Sequence, residues 1–364
     1  FDQSTVGDNI PVSISNGDLS GTDKQNYTLS IDGSPTTTAN ILSKKLLITG
    51  SFTTTDKIYD GTKNAPLVNN YLELAGVIGN DNVEIVNIEL NFNQINAGSN
   101  LDVFVSSAGI SGSDANNYSL SLDYTPIDKA NINPKELTIT GTFWVSSKTY
   151  DGTKNATIIN STLSPQGVID PDTVGISNIL ANFVQKNAGN AVEVVLSNAS
   201  LNGSDSANYT LSMIGAPSTS ANINRKDLSI TGSFTAGNKE YDGSTLASIA
   251  NNNLALSGKI ASDDIQISMV TTNFTQPNIG NGIDVNINDI QLAGVDTCNY
   301  ILLTNALPTS SANITPKELT VSSFNVNNKT YDGSNLANIV DNSMNLSGVV
   351  GTEDVTLTNL KAEF

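Results

Sequence analysis

Apolar and polar residues alternate along this chain in short runs of period two. Leu137 and Ile139 alternate with Thr138 and Thr140, and Tyr209, Leu211 and Met213 alternate with Thr210 and Ser212, the pattern of half-buried strands. Val192 and Val194 predict a further strand ahead of a turn at Asn202-Gly203. Between Val174, Ile176 and the following Ile179, Ala181, Phe183 the alternation changes phase by one residue. The same change recurs at Val83, Ile85 then Ile88, Leu90, Phe92, and at Val355, Leu357 then Leu360, Ala362, Phe364. A one-residue slip swaps the faces of a strand, so the recurrence predicts a β-bulge or a tight turn. No segment sustains a 3.6-residue period, and no long helix is expected.

These patterns repeat. Asn-Tyr occurs at Tyr27, Tyr118, Tyr209 and Tyr300, each 91 residues after the last, and Ala-Asn-Ile at Ile41, Ile132, Ile223 and Ile314 keeps the same step. Tyr-Asp-Gly occurs at Tyr59, Tyr150, Tyr241 and Tyr331, with one residue lost before the last. A unit that starts after the Lys of Lys-(Lys/Glu/Asp)-Leu divides the chain into a C-terminal half copy (1–44), three full copies (45–135, 136–226, 227–317) and an N-terminal half copy (318–364). Pro-containing joints such as Ala130–Gly141 leave almost no linker, which predicts a semi-rigid tandem array.

About seven strands per 91 residues, with turn signals between them, predict an all-β fold: a tandem array of immunoglobulin-like β-sandwich repeats forming an elongated rod. Asp23, Asp114, Asp205 and Asp296 each stand four residues before a strand-opening Tyr (Tyr27, Tyr118, Tyr209, Tyr300), a spacing that resembles the tyrosine corner of such domains. A β-grasp-like repeat is the alternative, and it requires a helix.

Composition narrows the function. The formal charge is -18 across 364 residues, which disfavours nucleic acid and anionic membrane surfaces as partners. There is no His and one Cys, Cys298, so the commonest general base, the commonest zinc ligand and an intrachain disulfide framework are all missing. An enzyme is not expected. No apolar run reaches the roughly 20 residues of a membrane helix. The chain opens at Phe1 with no signal-like segment and reads as part of a longer protein.

Together K-x-YDG-(T/S), (S/A)-G-V-(I/V) before an acidic cluster, NAG at Asn96 and Asn187, G-x-D-x-x-NY, A-N-I and K-(E/D)-L-(T/S)-I resemble the YDG repeats, relatives of MBG repeats, of large bacterial surface adhesins and haemagglutinin-like proteins. The third full copy departs with PNIG at Pro277, and the first half copy with TVG at Thr5. The resemblance implies an exported, extracellular stalk or filament at a bacterial cell surface, extending a binding tip. The alternative is that the repeats themselves bind a glycan or protein ligand.

The expected sites are structural. In Tyr59-Asp60-Gly61, Tyr150-Asp151-Gly152, Tyr241-Asp242-Gly243 and Tyr331-Asp332-Gly333, a buried or half-buried Tyr ends a strand and Asp-Gly makes the turn. Acidic residues recur at Asp81, at Asp170 with Asp172, at Asp263 with Asp264, and at Glu353 with Asp354. They read as solvated turns, since each supplies only part of a calcium shell. No cofactor is expected beyond that calcium option. Lys57, Lys148, Lys239 and Lys329, with the Asn of the NY word, have the residue types of an isopeptide crosslink. The expected partners are neighbouring repeats of the same chain and, through free strand edges, lateral copies in a filament.

Overall fold

The computed structural model of the chain describes residues 1–340 and 345–364. The fold is all-β and tandemly repeated. Among the described residues the only helical elements are single 3₁₀ turns, Lys24–Asn26, Ala115–Asn117, Ser206–Asn208 and Thr297–Asn299. The helix that a β-grasp repeat requires is not among them.

Two compact units form. One holds Phe1–Phe143, Ser161–Leu180 and Leu196–Pro217; the other holds Trp144–Asn160, Ala181–Val195 and Ser218–Phe364. Sequence copy 136–226 thus contributes strands to both.

In the first unit a five-stranded sheet runs in the order Lys57–Ile58, Ile127–Asn133, Gly98–Ser111, Glu84–Phe92, Asn64–Ala65. Its first pair is parallel and the rest antiparallel. A three-stranded sheet places Lys44–Thr53 between antiparallel Asn69–Ala75 and parallel Tyr118–Ser121. Alternation explains the packing: Ile48, Phe52, Leu90, Phe92, Val103, Val105 and Ile132 face inward and are buried together. Leu137 and Tyr209, from the next sequence copy, bury in the same core. The core therefore crosses the sequence boundary at 135/136.

The second unit repeats the design. Lys239–Glu240, Thr309–Thr315, Gly280–Ala293, Gln266–Phe274 and Leu246–Ala247 form the five-stranded sheet, and Ala255–Ser257, Lys226–Thr231 and Tyr300–Leu303 the three-stranded one. Phe234, Phe274, Ile283, Val285, Ile287 and Ile314 make its core.

In the first full copy the phase change is a bulge inside one strand, with no turn. Glu84–Phe92 stays continuous while its pairing with Gly98–Ser111 shifts register at Val86/Glu89, and Asn87 takes φ +53°. A second bulge lies in the partner strand, where Asn9, Asn100, Ala191 and Gly282 all have positive φ. Each N–H there donates to the Asn of the Ala-Asn-Ile word: Asn9 to Asn40, Asn100 to Asn131, Ala191 to Asn222 and Gly282 to Asn313, at 2.8–2.9 Å. The recurring Asn is thereby explained as the cap of a bulge.

Candidate functional site: a tyrosine-carboxylate joint

The YDG word ends a two-residue strand. Tyr59 N–H donates to Asn133 O at 2.8 Å, Asp60 Oδ1 accepts the Thr62 N–H at 2.9 Å, and Gly61 takes φ +75°. Side-chain bonding by Asp and the positive φ of Gly turn the chain, and the turn delivers the Tyr59 ring inward with 3% of its surface exposed. Tyr150 is 1% exposed, Tyr241 is half-buried and Tyr331 is 93% exposed.

What receives the ring comes from the next sequence copy. Tyr59 Oη donates to Asp172 Oδ2 at 2.8 Å, and Tyr209 Oη donates to the same oxygen at 2.6 Å. The two rings meet edge to face with centroids 5.4 Å apart. Ile169 N–H donates to Tyr209 Oη at 3.0 Å, and its side chain lies over Gly61, where an added Cβ would sit 3.2 Å from Ile169 Cγ2. Asn208 Oδ1 accepts the Ala97 N–H at 2.8 Å, tying the NY word to the NAG loop of the preceding copy. The YDG, acidic, NAG and NY words thus meet at one joint.

The second unit builds the same joint from Tyr150, Asp263 and Tyr300. Tyr300 Oη donates to Asp263 Oδ2 at 2.6 Å, the rings are 5.6 Å apart, and Ala188 N–H donates to Asn299 Oδ1 at 2.8 Å. The Tyr150 hydroxyl lies beside Asp263 without a hydrogen bond of ordinary geometry. Further along the same unit Tyr241 Oη donates to Glu353 Oε1. In the first unit Tyr118 Oη donates to Asp81 Oδ2 at 2.6 Å and accepts the Ile78 N–H, while Val6 N–H donates to Asn117 Oδ1 at 2.9 Å. The TVG departure is harmless here because the loop contributes a backbone N–H to Asn117 and no particular side chain.

Burial and the Asp172 carboxylate push the Tyr209 phenol up to about 12, and burial and Asp263 do the same for Tyr300. Burial first and the neighbouring carboxylate second also raise Tyr59 and Tyr150. The phenols stay protonated donors at neutral pH.

Two readings of the sequence change. Asp81, Asp172 and Asp263 are not solvated turn residues: the first two are half-buried, Asp263 is 4% exposed, and all three accept phenolic protons. Among the described residues no three acidic, Cys or His side chains gather as a cation site. Nor is the Asp/Tyr spacing a tyrosine corner, whose hydroxyl bonds a few residues upstream. The hydroxyl of Tyr118 reaches back to the Ile78 N–H, and Asp114, Asp205 and Asp296 bind the loop N–H groups of Asn82, Thr173 and Asp264 at 2.8–2.9 Å. Tyr27, in the half copy that contains Asp23, is 71% exposed.

The lysines hold the loop. Lys57 Nζ donates to Asp60 Oδ1, Thr62 O and Thr62 Oγ1 at 2.8–3.1 Å and lies 5.6 Å from the Phe92 ring centroid. Lys148 and Lys239 repeat this with Asp151, Thr153 and Phe183, and with Asp242, Ser244 and Phe274. Lys329 pairs with Asp332 and lies over Phe364. Among the described residues these ammonium groups donate in and beside the loop and to no Asn side chain, unlike the crosslink geometry anticipated for them.

No curated protein and no solved structure matches the chain. The sequence model of the YDG domain matches residues 43–127, 133–220, 224–309 and 315–364, each match containing one YDG word. With four matches spanning most of its length, the chain belongs to the YDG domain family.

Proposed function

We propose that this chain is the repetitive stalk or filament-forming region of an exported bacterial surface adhesin, and that its role is mechanical. The supporting observation is the joint itself. Within each compact unit the YDG tyrosine of one sequence copy packs edge to face on a tyrosine of the next, and that second tyrosine donates to a carboxylate of its own copy. A joint that recurs with the sequence period suits length and stiffness, because neighbouring copies share core and hydrogen bonds and leave no flexible linker. The net charge of -18 suits an extracellular setting in which parallel copies must avoid collapse onto one another.

Electron microscopy of the whole chain, with labelling of the intact cell surface by an antibody against it, tests the reading. Extended particles and surface labelling are expected. Compact globules, or labelling only after cells are permeabilised, would overturn it.

A further inference from the structure

The tyrosine pair at each joint is arranged for more than packing. Two phenols donate to one carboxylate oxygen, Asp172 Oδ2, at 2.8 and 2.6 Å, with their rings edge to face 5.4 Å apart. The phenolic carbons next to the hydroxyls, where a phenoxyl radical is reactive, flank the two oxygens that share this acceptor. A cavity of about 740 Å³ opens beside Tyr59, lined in part by Gly61, Ile169, Asp170 and Asp172. Tyr59 and Tyr209 are 3% and 5% exposed.

We infer that Tyr59 and Tyr209 are an oxidative crosslinking site, joined by a carbon–carbon bond between their hydroxyl-adjacent ring positions under a one-electron oxidant of the haem-peroxide or photo-oxidant class. Each phenol loses one electron to the oxidant and its hydroxyl proton to Asp172, which passes the proton to water in the cavity before receiving the second. The two phenoxyl radicals pair to form the new bond, and the two displaced ring hydrogens return to the oxygens to restore both phenols. With hydrogen peroxide as the terminal acceptor, two tyrosines and one peroxide give one crosslink and two waters. The bond ties one sequence copy to the next at the joint, whether or not the array serves as a stalk.

The whole chain, dilute and photo-oxidised with a ruthenium polypyridyl complex and persulfate, provides the test. Tryptic mapping then distinguishes the sites, since Tyr59 falls in peptide 58–63 and Tyr209 in 187–225, while exposed Tyr71 and Tyr124 share 64–129. The expected product is a monomeric chain lighter by two hydrogen atoms per crosslink, with 58–63 joined to 187–225. Recovery of unlinked 58–63 after Tyr71 and Tyr124 have been oxidised would overturn the inference, as would finding that linkage only in covalent dimers. Tyr59→Phe is expected to remove the linked peptide. Asp172→Asn, with its β signal in circular dichroism retained, is expected to slow its formation several-fold, and an unchanged rate would overturn the role of the carboxylate as proton acceptor.

Discussion

The joint of the first unit and that of the second are written in the same words, yet they differ at one oxygen. Around Asp172 both phenols are hydrogen-bonded and the carboxylate is half-buried. Around Asp263 the carboxylate is buried, Tyr300 is bonded, and Tyr150 is the more buried ring with an unpaired hydroxyl. A buried phenol without a partner retains its packing but bears the desolvation of its hydroxyl. The repeat fixes where a joint forms; the local depth of the carboxylate decides how completely its hydrogen bonds are made. The third example, Tyr241 on the exposed Glu353, extends the series toward solvent.

The largest expected effect is one the two joints share. Tyr209 and Tyr300 have phenols held near 12 in the fold, above the ordinary value of 10.0. A pKa raised by folding stabilises the protein fully below the unfolded value, and that contribution disappears as pH rises through the folded one. Both joints are therefore expected to open together between about pH 10 and about 12, with the late phase of tyrosinate absorbance, after the exposed tyrosines have ionised, changing in step with loss of β circular dichroism. Ionisation complete near pH 10 with the fold intact would show that the phenols do not hold the joint.

Removing single hydroxyls separates the joints. Tyr59→Phe deletes a hydrogen bond to a carboxylate and is expected to cost about 2 kcal/mol, whereas Tyr150→Phe removes an unpaired group and is expected to be neutral or slightly stabilising. The amides of Ile169 and Ile260, which donate to Tyr209 and Tyr300, report each joint by hydrogen exchange. Equal losses at both would erase the distinction.

The second bulge offers a smaller contrast. Ala191, in the second unit, has φ +49° where the first unit has Asn100 at +56° and the third full copy has Gly282. A Cβ in the left-handed region costs roughly 1 kcal/mol, less for Asn, whose side chain tolerates it. Ala191→Gly is expected to stabilise by about 1 kcal/mol and Asn100→Gly by far less, as judged by exchange of the flanking strand amides.

Much of this was legible in the sequence because it is local. Alternation at Leu137 and Ile139 placed a strand, the phase change at Ile85 and Ile88 marked a bulge or a tight turn, and Asp60-Gly61 placed a turn. The joint was not legible in the same way. Its partners lie more than a hundred residues apart, Tyr59 with Asp172 and Ala97 with Asn208, and each looks ordinary beside its chain neighbours. Asp172 has the sequence surroundings of a solvated turn, and only a second tyrosine folded over it makes it interior. Lys57 carries only the residue type of a crosslink partner in the sequence, and its surroundings of Asp60, Thr62 and Phe92 exist only in the fold. The one available signal was coincidence: words that keep a common period while their spacers vary are held by something they share.

The smallest expected effect concerns the loop that delivers each tyrosine. Lys239 Nζ and the Ser244 N–H both donate to Asp242 Oδ1, and together they hold its carboxyl down to about 2 against an ordinary 3.8. A depressed carboxyl stabilises the fold above the unfolded value and ceases to do so as pH falls through the folded one, so the loop is expected to loosen between about pH 4 and 2. The carboxylate is half-exposed, so solvent limits the contribution and the joint itself should survive. Carboxyl carbon resonances read the midpoint directly. Lys239→Met, which keeps an apolar stem over Phe274 and removes the charge, is expected to return the Asp242 midpoint toward 3.8 with Tyr241 still on Glu353. If the midpoint stays near 2, the Ser244 backbone alone sets it, and the lysine serves the ring beneath it more than the turn beside it.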